Sequence, residues 1–384
     1  MMKKKLIVLI IGTAILLGGE GMAVQAGSLS DATAESLWGI KLGGYLDMSY
    51  IYNLNDPEEN QGGNIMRVFD VDHNEINFQL FQFYIDRLPE ESNEVGFRVD
   101  FALGEDSNLI VFDPLVDFGD DFNIYQAYIS YIAPIGNGLT IDLGRWVTHH
   151  GYEVIESPAN SHFSRSILFG WAIPFTHTGL RLTYPFNDMW EVSGAVTQGW
   201  DWVDDNNDSK TFHGAVRFRP TESIYIQNSV AWGPELDDNN HDYRLLYDLV
   251  ATWQVNEQWS VGANFDWAQD ENQAPGGGDA EWMGIAGYAR YDLLENLYVA
   301  LRGEWFDDAD GARASAFNLS GPGGVVVPDV DVWEITATLG YSPVKNLMTR
   351  LEYRHDDASR EVFLDGHGLS DTQDTIAFEV IYSF

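Results

Sequence analysis

Between positions 149 and 165 the chain gathers His149, His150, Glu153, Glu156, Ser157, His162 and Arg165. These residue types could transfer protons, ligate a metal or hydrolyse an ester. A serine, a histidine and an acid could build a lipid hydrolase on an outer wall. Such a triad is recognised by geometry, however, and nothing in this stretch fixes one. His149 and His150 are adjacent, and neighbours on one strand point to opposite faces, so the pair makes a poor chelate and no metal is predicted. Two acidic runs, Asp307-Asp308-Ala309-Asp310-Gly311 and Asp70-Val71-Asp72-His73-Asn74, suggest calcium loops. Neither carries the Gly and Glu that an EF-hand needs at its sixth and twelfth positions. No Gly-rich loop is placed to hold phosphate, and Gly276-Gly277-Gly278 reads as a flexible tip. The chain has no cysteine, which removes disulfides, thiolate metal sites and cysteine nucleophiles together. No cofactor and no enzyme activity are predicted.

The residues just after this cluster are unusual in another way. Ser166–Phe175 reads SILFGWAIPF, too apolar for a segment waving in water. It belongs to the longest gap between strand-like runs, 148–176. The expectation is that this third loop folds inward, packs on a wall and sets His149, His150, Glu153, Glu156, His162 and Arg165 across a constriction. An outer flap or a subunit contact is the alternative.

The elements that would position such a loop are short β-type runs. Sixteen of them are separated by gaps that alternate between tight and long. The tight gaps fall at 88–94, 134–138, 185–189, 220–223, 254–258, 292–296 and 342–346. The long ones fall at 53–74, 105–122, 148–176, 199–210, 233–241, 269–280, 307–331 and 356–374. An outer-membrane barrel has this rhythm, with short periplasmic turns, long external loops and an even strand number. A soluble sandwich has no reason to place all its long loops at one end.

Within the runs, side chains alternate with a period of two. Val95, Phe97, Val99, Phe101 and Leu103 share one face; Arg98 and Asp100 share the other. Leu297, Val299, Leu301 and Trp305 oppose Arg302 and Glu304. Tyr184 and Trp190 bracket one tight turn, and Trp253 and Trp259 another, as in the aromatic girdles of a membrane interface. Two runs break phase. In 75–87 the apolar series passes from Ile76, Phe78 and Leu80 to Phe81, Phe83 and Ile85, which a β-bulge would produce. In 139–147, strict alternation sets Arg145 beside lipid-facing Leu143. A lipid-facing charge near the midplane costs ~2–4 kcal/mol, so a bulge or a position near the interface is expected there.

The fold class expected is therefore all-β: a transmembrane antiparallel up-and-down barrel of about 16 strands over 38–384. That many strands leave an aqueous lumen, whereas a barrel half the size is filled by side chains. Lys3, Lys4 and Lys5, then an apolar run from Leu6 to Leu17 and small residues near Ala26, read as a signal peptide over 1–26. Residues 27–37 read as a short periplasmic leader. The formal charge is −38. Removing 1–26 takes away three Lys and one Glu, which leaves 18 basic and 58 acidic residues, or −40. Such a chain repels nucleic acid. The expected polar, pore-lining set is Lys41, Asp47, Arg98, Asp100, Asp142, Arg181, Arg217, Arg302, Glu304, Arg350, Glu352 and Arg354. Facing arginines and carboxylates would set a transverse field, and the acidic loops imply a weak cation preference.

The stretch GRWVTHHGYEVIESPANSHFSRSILFGWAIPFTHTG, residues 144–179, resembles the signature of the OmpL-like type-2 β-barrel porin family. RVFDVDHNEINFQLFQFYIDR, residues 67–87, resembles that family's first hairpin. The resemblance covers 38–384 and implies an outer-membrane porin for small hydrophilic solutes, among outer-membrane lipids and lipopolysaccharide. The ending Tyr382-Ser383-Phe384 resembles the signal read by barrel-assembly machinery. Porins often form homotrimers. The rivals are a barrel-based adhesin or envelope tether and, less favoured, an outer-membrane lipid hydrolase.

Overall fold

The computed structural model describes residues 39–57, 63–110, 115, 122–275, 277–313 and 329–384. The expected signal peptide and leader lie outside the described residues. Sixteen long strands form one closed antiparallel barrel. In chain order they are β1 (Lys41–Asn53), β2 (Glu75–Arg87), β3 (Val95–Leu103), β4 (Phe122–Ala133), β5 (Leu139–Val147) and β6 (Thr176–Pro185). Then come β7 (Trp190–Thr197), β8 (Thr211–Thr221), β9 (Ile224–Pro234), β10 (Tyr243–Gln254), β11 (Trp259–Asp270) and β12 (Ala280–Leu294). The circle ends with β13 (Leu297–Asp308), β14 (Val330–Val344), β15 (Leu347–Ala358) and β18 (Thr372–Ser383). Between the last two, β16 (Phe363–Asp365) and β17 (Gly368–Ser370) make a small separate hairpin. Each barrel strand pairs with its neighbour in the circle, and β18 closes on β1 from Tyr45↔Ser383 to Asn53↔Thr375. Closure leaves no edge, which is what allows a sheet to sit in hydrocarbon.

The two faces of the sheet are inverted relative to a soluble barrel. On β13, Leu301 is 53% exposed and Trp305 38%, while Arg302 is 1% and Glu304 5% exposed. Leu143, Ile285, Ile335, Leu351 and Phe378 likewise face outward, and Asp142, Glu334, Arg350, Glu352 and Glu379 are buried. An apolar exterior with charge inside is stable only where the exterior meets lipid. At the tight-turn end, Trp190 stacks on Phe218 at 4.2 Å and Trp259 packs against Tyr291 at 4.7 Å. The girdle is thus formed by cross-strand ring pairs.

The bulge expected in β2 is present. Asp47 pairs with Leu80 and Met48 with Phe78, so Gln79 is the extra residue and the phase switches there. In β5, where a bulge or a position near the interface is expected, no bulge occurs. Its ladders to β4 and β6 run without a shift. Instead Gly144 takes φ +136°, a conformation that side chains other than hydrogen rarely adopt. Arg145, near the external end of the strand, is buried, and its Nη2 donates to Thr176 Oγ1 at 2.8 Å. Several short elements escape periodicity altogether. These are helix α1 (Glu105–Ile110), a 3₁₀ turn at Ser157–Ala159, a π turn at Leu168–Ala172, and the β16–β17 hairpin.

Candidate functional site

Loop 3, residues 148–175, is hydrogen-bonded to the polar face of the barrel wall along most of its length. An irregular segment has no ladder of its own, so its N–H and C=O groups need partners wherever they are buried. The wall supplies them. Glu352 accepts the Phe163 and Ser164 amides at 2.8 and 2.9 Å. Glu304 accepts the Ile167 and Leu168 amides at 2.5 and 3.2 Å. Arg302 donates to the Ser164 carbonyl at 2.7 Å, Arg354 to that of Arg165 at 2.6 Å, and Arg350 to those of Ser157 (3.1 Å) and Asn160. Further along the wall, on β9 to β11, Asp248 accepts the Gly151 amide, Asn264 that of Tyr152, and Gln227 donates to the His149 carbonyl.

The charged side chains of the loop are equally committed. Glu153 binds Arg302 at 2.8 Å and accepts the Ser166 amide at 2.5 Å. Burial pushes the Glu153 carboxyl up, but the Arg302 charge and the Ser166 amide hold it below the usual range. Glu156 accepts from the Tyr125 hydroxyl at 3.0 Å. His162 Nδ1 meets Thr338 Oγ1 at 2.7 Å, and burial followed by the Arg302 charge lowers its pKa well below the ordinary value. Arg165 donates to three loop carbonyls, Val154, Phe163 and Ile155, and lies over the Phe69 ring. His149 and His150 sit at the loop's root, both buried, and burial lowers both pKa values.

The apolar run packs rather than floats. Ile167, Leu168, Phe169, Trp171, Ala172, Ile173 and Phe175 join one buried cluster with Met66, Val68 and Phe69 of loop 1, which joins β1 to β2, and Trp282, Tyr288 and Phe306 of the wall. Two wall glycines make room. A Cβ on Gly262 would meet the Tyr152 ring at 2.3 Å, and one on Gly284 would meet Leu168 Cδ2 at 2.4 Å. Tyr152 stacks on Tyr288 at 3.9 Å. Loop 1 also reaches the wall, where Arg67 pairs with Asp70 and with Asp356 of β15.

The other polar-face residues form wall pairs. Arg98 binds Asp100 at 2.9 Å, Arg181 binds Asp142 at 2.9 Å, and Arg217 binds Glu191 at 2.8 Å. Lys41 reaches Glu90 on the first periplasmic turn at 3.4 Å. Asp47 is buried beside Glu379. The twelve polar-face residues therefore divide. Arg302, Glu304, Arg350, Glu352 and Arg354 hold loop 3, and most of the rest pair within the wall. Glu334 and Glu379 belong with the first group, since they anchor Arg302 and Arg350 at 2.8 and 2.9 Å. Strict alternation places Glu334 with Thr336 and Glu379 between Phe378 and Val380, so both were findable. At the C-terminus, Tyr382 faces outward, and Phe384 stacks on Phe81 at 5.8 Å and exchanges backbone bonds with Gly44.

A closed 16-strand barrel with a lipid-compatible exterior and a charged interior defines an outer-membrane channel-type protein. The family described as "Putative beta-barrel porin-2, OmpL-like" matches residues 39–384, and the chain belongs to it. No curated protein matches the chain in sequence. Among solved structures, an anion-selective porin from Comamonas acidovorans is similar with TM-score 0.61 at 12% identity, over 90% of this chain and 99% of that one. OprB of Pseudomonas putida follows with 0.60 at 12% identity, over 90% and 94%. The trimer form of OmpT from Vibrio cholerae gives 0.58 at 10% identity, over 90% and 99%. At these identities the likeness is one of fold. Family and barrel together place the protein in the outer membrane.

Proposed function

We propose that this porin passes small hydrophilic solutes and ions by diffusion, through a lumen narrowed by loop 3. The observation that carries the reading is the wall-to-loop hydrogen bonding, which sets charged and polar groups across the barrel's inside. Arg98, Arg181, Arg217, Arg302, Arg350 and Arg354 each meet a carboxylate, so none offers an uncompensated positive charge to a passing anion. The exposed acids at the mouth, Asp204, Asp208, Asp237 and Asp238, then decide the sign of the field. A weak cation preference follows. The anion selectivity of the Comamonas porin belongs to that protein. No hydrolytic role is proposed, because Ser157 Oγ donates to Glu379 rather than to a histidine. A homotrimer is proposed by analogy with the trimeric Vibrio barrel. Lipopolysaccharide around the barrel and insertion by the barrel-assembly machinery complete the proposal.

Purified protein in planar bilayers tests it. Steady conductance steps and a reversal potential of cation sign in a salt gradient are expected. A reversal potential of anion sign overturns the selectivity, and electrical silence from folded protein overturns the channel in favour of a tether.

A further inference from the structure

We propose that His149, His150 and His213 form a binding site for one divalent transition-metal ion of the zinc type, which staples the root of loop 3 to the barrel wall. His149 and His150 follow β5 after Thr148, and His213 projects from β8. One ring nitrogen from each lies within 4.8 Å of the others. The ring centroids are 4.3 Å apart for His149 and His150, 5.6 Å for His150 and His213, and 6.0 Å for His149 and His213. Adjacency in sequence is no obstacle here. The two residues lie beyond the strand end, and their rings sit side by side instead of on opposite faces.

The surrounding hydrogen bonds set the ring tautomers. The Ser229 hydroxyl donates to Asp248 Oδ1 at 2.8 Å, so its oxygen accepts from His150 Nδ1 at 2.8 Å. That leaves His150 Nε2 as a lone pair. The Thr197 hydroxyl lies 3.0 Å from His213 Nε2 and 3.4 Å from the Thr211 carbonyl. With its proton on that carbonyl, its oxygen accepts from His213 Nε2, and in that tautomer His213 Nδ1 is a lone pair. These two nitrogens face each other at 3.3 Å. Two lone pairs at that distance repel unless a cation lies between them. Tetrahedral zinc with Zn–N bonds of 2.0–2.1 Å holds two donors about 3.3 Å apart.

A single proton could also bridge His150 and His213. His149 separates the two cases. It is 4% exposed, and neither of its ring nitrogens has a hydrogen-bond partner among the described residues. A shared proton leaves that buried ring unsatisfied, whereas a metal ion gives it a bond. His177, whose Nδ1 also lacks a partner among the described residues, packs beside the three with its ring 4.3 Å from that of His213. The donors are all neutral imidazoles, which suit zinc, copper or nickel and not calcium or magnesium. Asp248, acting through Ser229, supplies the outer carboxylate that commonly orients a ligating histidine. The nearby guanidinium of Arg217 is already held by Glu191 and Gln227.

The test is Co²⁺ titration of the full-length barrel in detergent after EDTA treatment. One Co²⁺ per chain is expected, with the intense visible absorption of a tetrahedral ion, displaced by one equivalent of Zn²⁺. His213→Ala and His149→Ala should each weaken binding by at least ~10-fold, and His241→Ala, in an exposed loop, should bind as the parent does. His149→Ala alters only the loop, so it reports even if the wall variant fails to fold. Heat-modifiable gel migration confirms a folded barrel in each case. Folded parent protein that gives only the pale spectrum of an octahedral ion, or that binds no more tightly than His149→Ala, overturns the site. Because the readout is metal binding, it stands apart from whether the barrel conducts.

Discussion

Removal of the arginine clamps should release loop 3 from the wall. Arg302 donates to Glu153 and to Ser164 on the loop and to Glu334 and Thr336 on the wall. Truncating one member of a buried ion pair typically costs ~3–5 kcal/mol. The lower end applies to Arg302→Ala, because Glu153 keeps the Ser166 amide and Glu334 keeps Thr336. At about 1.4 kcal/mol per decade, the released population rises roughly 10²-fold. Moving a two-state segment from 1:99 to 99:1 takes ~5.5 kcal/mol, so one substitution does not suffice. Arg350 clamps a different part of the loop through Ser157, Asn160 and Glu379 and shares no hydrogen-bond partner with Arg302. The two losses should therefore add to ~6 kcal/mol. Single-channel recording should show brief excursions to a higher conductance for Arg302→Ala and a steady higher level for Arg302→Ala/Arg350→Ala. Trypsin should cut after Arg165 in the double variant alone, since its guanidinium is otherwise locked on three loop carbonyls. A folded double variant that resists trypsin and conducts at the parental level refutes the claim that these charges hold the loop.

Two other outcomes follow. Asp201 accepts the Phe175 and Thr176 amides at the far end of loop 3, and burial pushes its carboxyl up to about 6 despite them. A raised folded-state pKa contributes stability that is present below the unfolded value and lost as pH rises through the folded one. The parent should thus lose up to ~3 kcal/mol between about pH 4 and pH 6 from this group, and Asp201→Asn should lack that part of the slope in urea unfolding followed by tryptophan fluorescence; identical slopes exclude the assignment. On the outer face, Leu301→Arg should cost ~2–4 kcal/mol near the midplane and lower the folded yield in lipid. Thr349→Arg, near the tight-turn end of β15, should be tolerated better, and equal yields for the two would contradict the lipid belt.

The architecture was largely legible from the chain. Alternation of Leu297, Val299 and Leu301 against Arg302 and Glu304 needs only the two-residue period of a strand, which local sequence carries. The rhythm of tight and long gaps is likewise local, and strand number follows from it. Gln79 shows the same economy, because a bulge reverses the apolar phase and leaves a visible mark. Arg145 shows its limit. The phase break was readable, but its resolution by Gly144 at φ +136° and by Thr176 was not, since one glycine among 37 gives no sign of its backbone angle.

What the sequence could not state is where the lumen charges point along the chain. Arg350 and Asn160, or Glu352 and Phe163, are joined by loop insertion across nearly two hundred residues. No periodicity encodes such a contact. The apolar character of 166–175 required burial somewhere, and residue chemistry determined that much. Only closure of the barrel decided which carboxylates would cap its amides, and only the meeting of β8 with the end of β5 put three imidazoles within reach of one ion. Pattern is local, whereas ligation and capping depend on distances that exist once the circle is complete.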